Sequence, residues 1–252
     1  MSISFSVITA TYNRGKTIFR AISSVKNQNY EFVESIVIDG CSRDDTLAQI
    51  SGLLDSQDTL ISEPDKGIYD ALNKGLKFAS GDVICFLHSD DFYFNENTLS
   101  CVAEVFKDES VDIVYGDACF FKENDPSRII RNYKSDKLSV SNLAWGKMPA
   151  HPAIFCRKKV YDELGNFKTD FKIAADYEFL CRLTKTSGFN AKYLNQNLVM
   201  MQSGGASKIG IKNTLLLNRE VYRAIRPNDI YTNYLMLFSK YASKILQFFF
   251  IR

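Results

Sequence analysis

Only one tryptophan, two histidines and five prolines occur in 252 residues. With His88 and His151 alone, a multi-histidine zinc site is excluded. The six cysteines, at 41, 85, 101, 119, 156 and 181, form no CxxC pair, which argues against both a zinc site and a small disulfide scaffold. Cys85 stands in an apolar run and reads as a small core residue, and reduced thiols in a cytosol are expected. There is no GxxxxGK(S/T) loop, no GxGxxG after the first strand-like segment and no GxSxG elbow. Neither charge dominates: 31 Lys+Arg against 29 Asp+Glu leave a net charge of +2, too balanced for a general nucleic-acid binder. No apolar run nears the roughly 20 residues that a membrane helix needs. The opening MSISFSVITATYN lacks a basic leader before an apolar stretch, so neither a secretory signal nor a spanning segment is expected.

What is present fits a globular chain able to bury a sizeable core, with 46% hydrophobic and 24% charged residues. Strand-like and helix-like segments alternate through the first half. Residues 3–8 are β-rich, and Ile18, Ile22 and Val25 follow at helical spacing. Residues 35–38 form a second apolar strand, ended by Asp39-Gly40. Asp44-Asp45-Thr46 then offers a helix start, with Leu47, Ile50 and Leu54 on one face. A third strand is expected at 59–62 and a helix through Ile68, Leu72 and Leu76, closed by Ser80-Gly81. Residues 83–87 are continuously apolar, as in a strand buried on both faces. Further on, Leu99, Val102, Ala103 and Phe106 predict a helix, and residues 111–115 a strand ending at Gly116-Asp117. Residues 122–145 are polar and read as a surface excursion, 148–155 as a return to the sheet, and 176–183 as a helix.

This alternation predicts an α/β fold with a mostly parallel sheet and right-handed crossovers. Such sheets bind ligands beyond the carboxyl ends of their strands. Four polar clusters follow the predicted strands: Thr9 to Asn13, Asp39, Glu63-Pro64-Asp65-Lys66, and His88-Ser89-Asp90-Asp91. All four are expected to face one edge. The strongest local signal is Asp90-Asp91, because adjacent carboxylates after a buried strand repel each other unless a cation or strong donors stand nearby. Such hard oxygen ligands suit Mg²⁺ or Mn²⁺ bridging a diphosphate, while a solvated loop or a helix cap is the ordinary alternative.

Three stretches are similar to the family 2 glycosyltransferases of GT-A fold: residues 7–14 (VITATYNR), Val37-Ile38-Asp39-Gly40 with Asp44-Asp45-Thr46, and residues 86–91 (FLHSDD). The segment 62–75, SEPDKGIYDALNKG, resembles the branch that assembles bacterial surface polysaccharides such as O-antigen. Together with Ala174-Ala175-Asp176-Tyr177-Glu178, the resemblance covers roughly residues 3–207.

The resemblance implies a Rossmann-like sheet flanked by helices in a domain over 1–210. Residues 1–117 would bind the nucleotide-sugar and 118–210 the acceptor, with a C-terminal helical extension over 211–252. It implies a UDP-sugar donor cradled by Thr9, Thr11, Tyr12 and Asn13, with Asp39 accepting from the uracil N3–H. Asp90 would face ribose or metal, Asp91 would be the metal ligand, and Lys66 would help to hold the donor. A packed aromatic at Tyr12, a turn former at Asp39 and a plain surface lysine at Lys66 are the competing readings. The family pattern differs slightly at His88-Ser89, and His88 receives no ligand role.

Inverting sugar transfer needs one base on the acceptor side, and a cation rather than an acid can stabilise the leaving diphosphate. Asp176 matches the family's acceptor-side acid and is the chosen base, with a helix cap as the competing role. Glu178, two residues on, points to another helix face. His151, in Pro149-Ala150-His151-Pro152-Ala153, resembles an acceptor-side histidine, or else a structural loop residue. Trp145 would stack on an acceptor sugar or simply pack. Residues 203–207 (SGGAS) would close over the donor phosphates, with Lys208 available to neutralise charge.

The implied activity is an inverting hexosyltransferase using Mn²⁺ or Mg²⁺ and a polyprenyl-diphosphate-linked saccharide. It would work in the cytoplasm, peripheral to the inner membrane. A nucleotidyltransferase and a non-catalytic sugar- or nucleotide-binding scaffold remain as alternatives. At the C-terminus, Tyr234, Phe238, Tyr241 and Ile245 fall at helical spacing beside Lys240, Lys244 and Arg252. That stripe is expected either to rest in a membrane interface or to pack in a core or homodimer contact.

Overall fold

In a computed structural model, described for residues 2–123, 125–135, 137–186, 188–204 and 210–239, the chain opens directly into a sheet. All seven residues of β1 (Phe5–Thr11) are buried. The cause is central placement, since β1 pairs in parallel with both β2 (Val33–Asp39) and β4 (Val83–Phe86). On the outer side β2 pairs in parallel with β3 (Thr59–Ser62). The crossovers are α1 (Gly15–Lys26), α2 (Thr46–Ile50) and α3 (Ile68–Phe78). Side chains of β1 alternate between two cores. Ile8 and Ala10 pack with Ile36, Ile38, Leu72 and Phe86 on one face, and Phe5 and Val7 with Val83, Cys85, Leu99 and Phe106 on the other. Gly75 brings α3 against the sheet so closely that a Cβ there would lie 2.4 Å from Ile8 Cγ2.

The second half extends the same sheet in the order β3-β2-β1-β4-β8-β6-β9-β5, with β7 added to β6. Here β5 is Phe92–Tyr93, β6 Ile113–Lys122, β7 Asp125–Tyr133, β8 Ile154–Arg157 and β9 Ala191–Gln202. Strands β1, β2, β3, β4, β6 and β9 run one way, and β5, β7 and β8 run against them. Helices α4 (Thr98–Phe106), α5 (Val140–Ala144), α6 (Lys158–Leu164), α7 (Ala175–Lys185) and α8 (Ile211–Ile225) complete the flanks.

Because β1 to β4 are mutually parallel, their carboxyl ends and the four polar clusters lie along one edge. Two sequence expectations need correction. Residues 122–145 are not an irregular excursion: β6 runs on to Lys122 and folds back as β7, followed by the short α5. As an edge strand, β7 is mostly exposed and so carries no run of apolar residues to announce it. The return to the sheet starts only at Ile154, after a 3₁₀ turn over His151–Ala153.

At the C-terminal end, residues 234–239 are helical. Leu237 is fully buried there, whereas Tyr234 and Phe238 are 47% and 43% exposed. Tyr241, Ile245, Lys240, Lys244 and Arg252 lie outside the described residues, as do 205–207 and Lys208 of the expected phosphate loop. No helix among the described residues is long and apolar enough to cross a membrane.

Candidate active site

The β1–α1 loop is stitched to the β2–α2 loop. Asn13, at φ 50°, donates its N–H to Ser42 Oγ at 2.8 Å and accepts from Arg43 N at 2.8 Å. Asn tolerates this left-handed geometry better than most side chains. Tyr12 stands 54% exposed beside Gly40, where an added Cβ would meet Asp65 Oδ2 at 2.4 Å and Tyr12 Cδ2 at 3.4 Å. Tyr12, Gly40 and Asp65 therefore share one wall, and exposed Lys66 follows directly.

Other expected donor residues lie deeper. Thr9 is buried, and Thr11 Oγ1 is a buried hydroxyl without a hydrogen-bond partner. Asp39 is fully buried, and its carboxylate accepts from Ser42 N at 2.9 Å, from Ser42 Oγ and from Ser62 Oγ at 2.6 Å. In this conformation Asp39 shapes the loop that carries Asn13's partners rather than presenting an oxygen to the cleft.

The loop after β4 places Asp91 in the interior at 3% exposure, with Asp90 half-buried beside it. Asp91 Oδ1 accepts from Gln202 N at 2.9 Å. Burial, and then the charge of Asp90, push the Asp91 carboxyl well above the usual carboxylate range, against a smaller pull from Arg20. Arg20 Nη2 donates to the Asp90 carbonyl and to Gln202 Oε1, both at 3.1 Å, while the guanidinium lies 4.9 and 4.8 Å from the Phe92 and Phe121 ring centroids. This clamp ties α1, the acidic loop and the end of β9 together.

The Asp90–Asp91 pair fits a hard divalent cation, because a positive charge there would relieve the repulsion that disfavours ionised Asp91. Among the described residues no three His, Cys, Asp or Glu side chains converge to form a closed cage. Two carboxylates suit an ion that takes its remaining ligands from phosphate oxygens and water.

At the second expected cluster, α7 begins at Ala175 and carries Asp176 in its first turn. Glu220 of α8, itself buried, accepts three successive backbone N–H groups in front of it: Lys172 at 2.9 Å, Ile173 at 2.9 Å and Ala174 at 3.1 Å. A carboxylate seated in such a nest fixes the entry of α7. Asp176 Oδ1 accepts from Tyr69 Oη at 3.1 Å and from Tyr177 N at 2.8 Å. Burial raises the Asp176 carboxyl above its ordinary range, and these two hydrogen bonds pull back only part of that shift. Such a carboxylate is a better proton acceptor than a solvated one. Glu178 is instead buried in an ion pair with Lys168 Nζ at 2.7 Å and Arg182 Nε at 3.0 Å.

His88 and His151 join the two acid clusters. Their ring centroids are 5.7 Å apart, and His151 stacks on Phe86 at 5.2 Å. Burial lowers both imidazoles to about 4, so both are neutral near pH 7. Both Asp90 and Asp176 act electrostatically on His88, so it lies within reach of both acids, and its Nδ1 is buried without a partner. Trp145, just after α5, is 42% exposed. Sequence reasoning assigned no role to Tyr69, although it lies in a quoted motif, and passed over Arg20, Gln202 and Glu220.

The sequence model described as "Glycosyl transferase family 2" matches residues 6–165. The chain belongs to this family. An uncharacterized glycosyltransferase of Mycobacterium tuberculosis (strain CDC 1551 / Oshkosh) is 34% identical over 180 residues, covering 70% of this chain and 67% of that protein. A PGL/p-HBAD biosynthesis glycosyltransferase of Mycobacterium bovis (strain BCG / Pasteur 1173P2) is 26% identical over 217 residues, covering 84% and 80%. Among solved structures, S. aureus TarS 1-349 in complex with UDP-GlcNAc aligns with a TM-score of 0.70 at 20% identity, covering 91% of this chain and 68% of that one. The mannosyltransferase PcManGT from Pyrobaculum calidifontis, in complex with GDP-Man and Mn²⁺, aligns with a TM-score of 0.62 at 16% identity, covering 98% and 81%.

This family 2 glycosyltransferase has the GT-A fold. Its Asp90–Asp91 loop lies inside the matched span, whereas Asp176 and Glu220 lie beyond it.

Proposed function

We propose that this glycosyltransferase moves a hexose, with inversion, from a UDP-sugar to a saccharide carried on a polyprenyl diphosphate, in the assembly of a surface polysaccharide such as O-antigen. The observation that carries the reading is that a partly exposed Asp176, held by Tyr69, and Asp90 of the acidic loop both act on the same buried imidazole, His88. A base on one side and a cation-binding acid pair on the other are what inverting transfer requires. The UDP-GlcNAc bound by TarS supports a UDP-sugar, and the PGL/p-HBAD relatives support a cell-surface glycan.

In this reading residues 1–117 hold the donor. The exposed Tyr12, Asn13 and Lys66 meet it first, with Thr9 and Thr11 behind them. Asp39 accepts from the uracil N3–H once Ser42 or Ser62 releases one carboxylate oxygen. Residues 118–210 hold the acceptor, with Trp145 stacking on a sugar and His151 lining the cleft. Asp176 takes the proton of the acceptor hydroxyl while that oxygen bonds to the anomeric carbon. The bond from this carbon to the diphosphate oxygen breaks, and UDP leaves with the electron pair. Tyr69 holds the carboxylate of Asp176 in line. Mn²⁺ or Mg²⁺, held by Asp90 and Asp91 with the diphosphate, would supply charge stabilisation for the leaving group.

The enzyme works from the cytoplasmic side of the inner membrane as a peripheral protein, its 211–252 region meeting the bilayer. Exposed Tyr231, Tyr234 and Leu235 support that placement. The deciding experiment is a nucleotide-sugar screen against a synthetic sugar-diphosphate-lipid, with UDP release measured and the linkage read by NMR. Transfer from a UDP-hexose with inverted configuration is expected. Retention of configuration, or no turnover with any UDP-sugar, overturns the reading. Deleting residues 231–252 should release the protein from membranes with UDP binding intact, while loss of a dimer instead would assign the segment to self-association.

A further inference from the structure

Helix α8 turns two faces to two tasks. Its inner face carries Glu220, seated on the backbone before α7. Its outer face presents Leu215, Arg219 and Tyr222, each about one turn from the next, and Arg226 follows one turn on, just past the helix end. Tyr222 stacks on Tyr234 with centroids 4.8 Å apart. Beside this stack opens a cleft of about 440 Å³, lined by Arg219, Tyr222, Arg223, Arg226, Pro227 and Tyr234.

Three arginines in one cleft repel each other unless something negative joins them. Arg223 is already engaged, donating from Nη2 to the Asp170 carbonyl at 2.8 Å, with Asp170 Oδ2 at 3.5 Å and the Phe171 ring 3.8 Å away. Asp229 is taken by Lys185 at 2.7 Å, and Glu220 by its three N–H groups. Arg219 and Arg226 have no ion-pair partner among the described residues; Arg226 lies 5.7 Å over the Tyr222 ring. Exposed apolar side chains accompany these two cations in the chain: Leu215, one turn before Arg219, and Tyr231 and Leu235, to either side of the cleft-lining Tyr234 in sequence, are 56%, 78% and 84% exposed. No Asp or Glu follows Asp229 in the sequence.

We propose that this face of α8 docks on an anionic phospholipid surface, with Arg219 and Arg226 holding headgroup phosphates and Leu215, Tyr231 and Leu235 resting against the acyl boundary. The occupant follows from complementarity, since a flat anionic sheet with an apolar interior meets both the unpaired guanidinium groups and the exposed side chains flanking them. Anionic leaflets attract such cations directly. The proposal rests on the membrane-surface reading above and names the residues that read headgroup charge. It also links docking to chemistry: Arg223 in the cleft wall holds Asp170, close before the residues that Glu220 seats and that lead into Asp176.

The test is flotation of the full chain with phosphatidylcholine vesicles, with and without phosphatidylglycerol. The wild type should float only with phosphatidylglycerol. The Arg219→Gln/Arg226→Gln variant should bind those vesicles at least about tenfold more weakly, with its UDP-plus-Mn²⁺ thermal shift unchanged. The Arg219→Lys/Arg226→Lys variant should float like the wild type. Equal flotation of the Gln variant overturns the proposal but leaves the membrane reading standing on residues 231–252. A wild type that floats with neither vesicle overturns both. Release from phosphatidylglycerol by inorganic phosphate at constant ionic strength makes the cleft a free-anion site and also overturns it.

Discussion

The Tyr69 hydroxyl donates to Asp176 Oδ1 across 3.1 Å, joining the first turn of α3 to the first turn of α7. One residue lies in a crossover of the parallel half of the sheet and the other in the connection between β8 and β9 of its mixed half, so the hydrogen bond depends on both halves being folded together. It favours the ionised carboxylate, while burial disfavours it. The balance leaves a carboxylate more basic than a solvated aspartate, as the proposed role of base requires.

Tyr69→Phe removes a donor to the ionised form, so the Asp176 pKa should rise further. The base is active when deprotonated, so kcat/KM falls as pH drops through that pKa. The acid limb of the wild type should therefore lie above the ordinary carboxylate range, and that of Tyr69→Phe higher still. A pH profile with saturating donor measures both limbs, and a coincident pair would remove Tyr69 from the mechanism.

Asp176→Asn should reduce transfer about 10²- to 10⁴-fold without lowering thermal stability. An aspartate whose folded pKa is raised by desolvation destabilises the fold once ionised, and an amide removes that cost. A radiolabelled-donor assay and a melting curve on the same preparation give both numbers. A variant with wild-type turnover would displace Asp176 as the base.

Asp91→Asn should lose the thermal stabilisation that UDP gives in the presence of Mn²⁺, and a chelator should remove the same increment from the wild type. UDP without metal should shift both proteins equally. If the chelator leaves the wild-type shift intact, the acid pair acts without a cation.

Glu220→Ala leaves three N–H groups in front of α7 without their acceptor, at a cost of about 1–3 kcal/mol. If the nest positions Asp176, kcat should fall with the donor KM unchanged, and UDP binding should persist. Parallel loss of donor affinity would show that Glu220 serves general stability instead.

Asp39→Asn should loosen the loop between β2 and α2, because Ser42 N and Oγ and Ser62 Oγ all donate to that carboxylate. Discrimination between UDP and other nucleoside diphosphates should weaken in a competition assay. Unchanged discrimination would confine Asp39 to shaping the loop.

The parallel core was readable in the chain because its signals are local. A β-rich run at β1, a continuous apolar run at β4, four-residue spacing in α3 and polar residues after each strand all follow from burial of the sheet and a ligand-binding edge. The acids at 90, 91 and 176 also stood out, as carboxylates in recognisable contexts. β7 did not, since an exposed edge strand needs no apolar pattern. The burial of Asp39 beneath Ser42 and Ser62, the Arg20 clamp on the acidic loop and the Glu220 nest were equally invisible. Each joins side chains to groups on other elements, up to 182 residues apart for Arg20 and Gln202. The amino-acid sequence thus determined which groups carry charge and which segments are buried, since both depend on near neighbours. Only the tertiary structure decided that Tyr69 meets Asp176, that His88 lies within reach of two acid sites and that Arg219 and Arg226 have no ion-pair partner among the described residues. Those relations arise when distant segments exclude water together, and burial then sets how each ionisable group behaves.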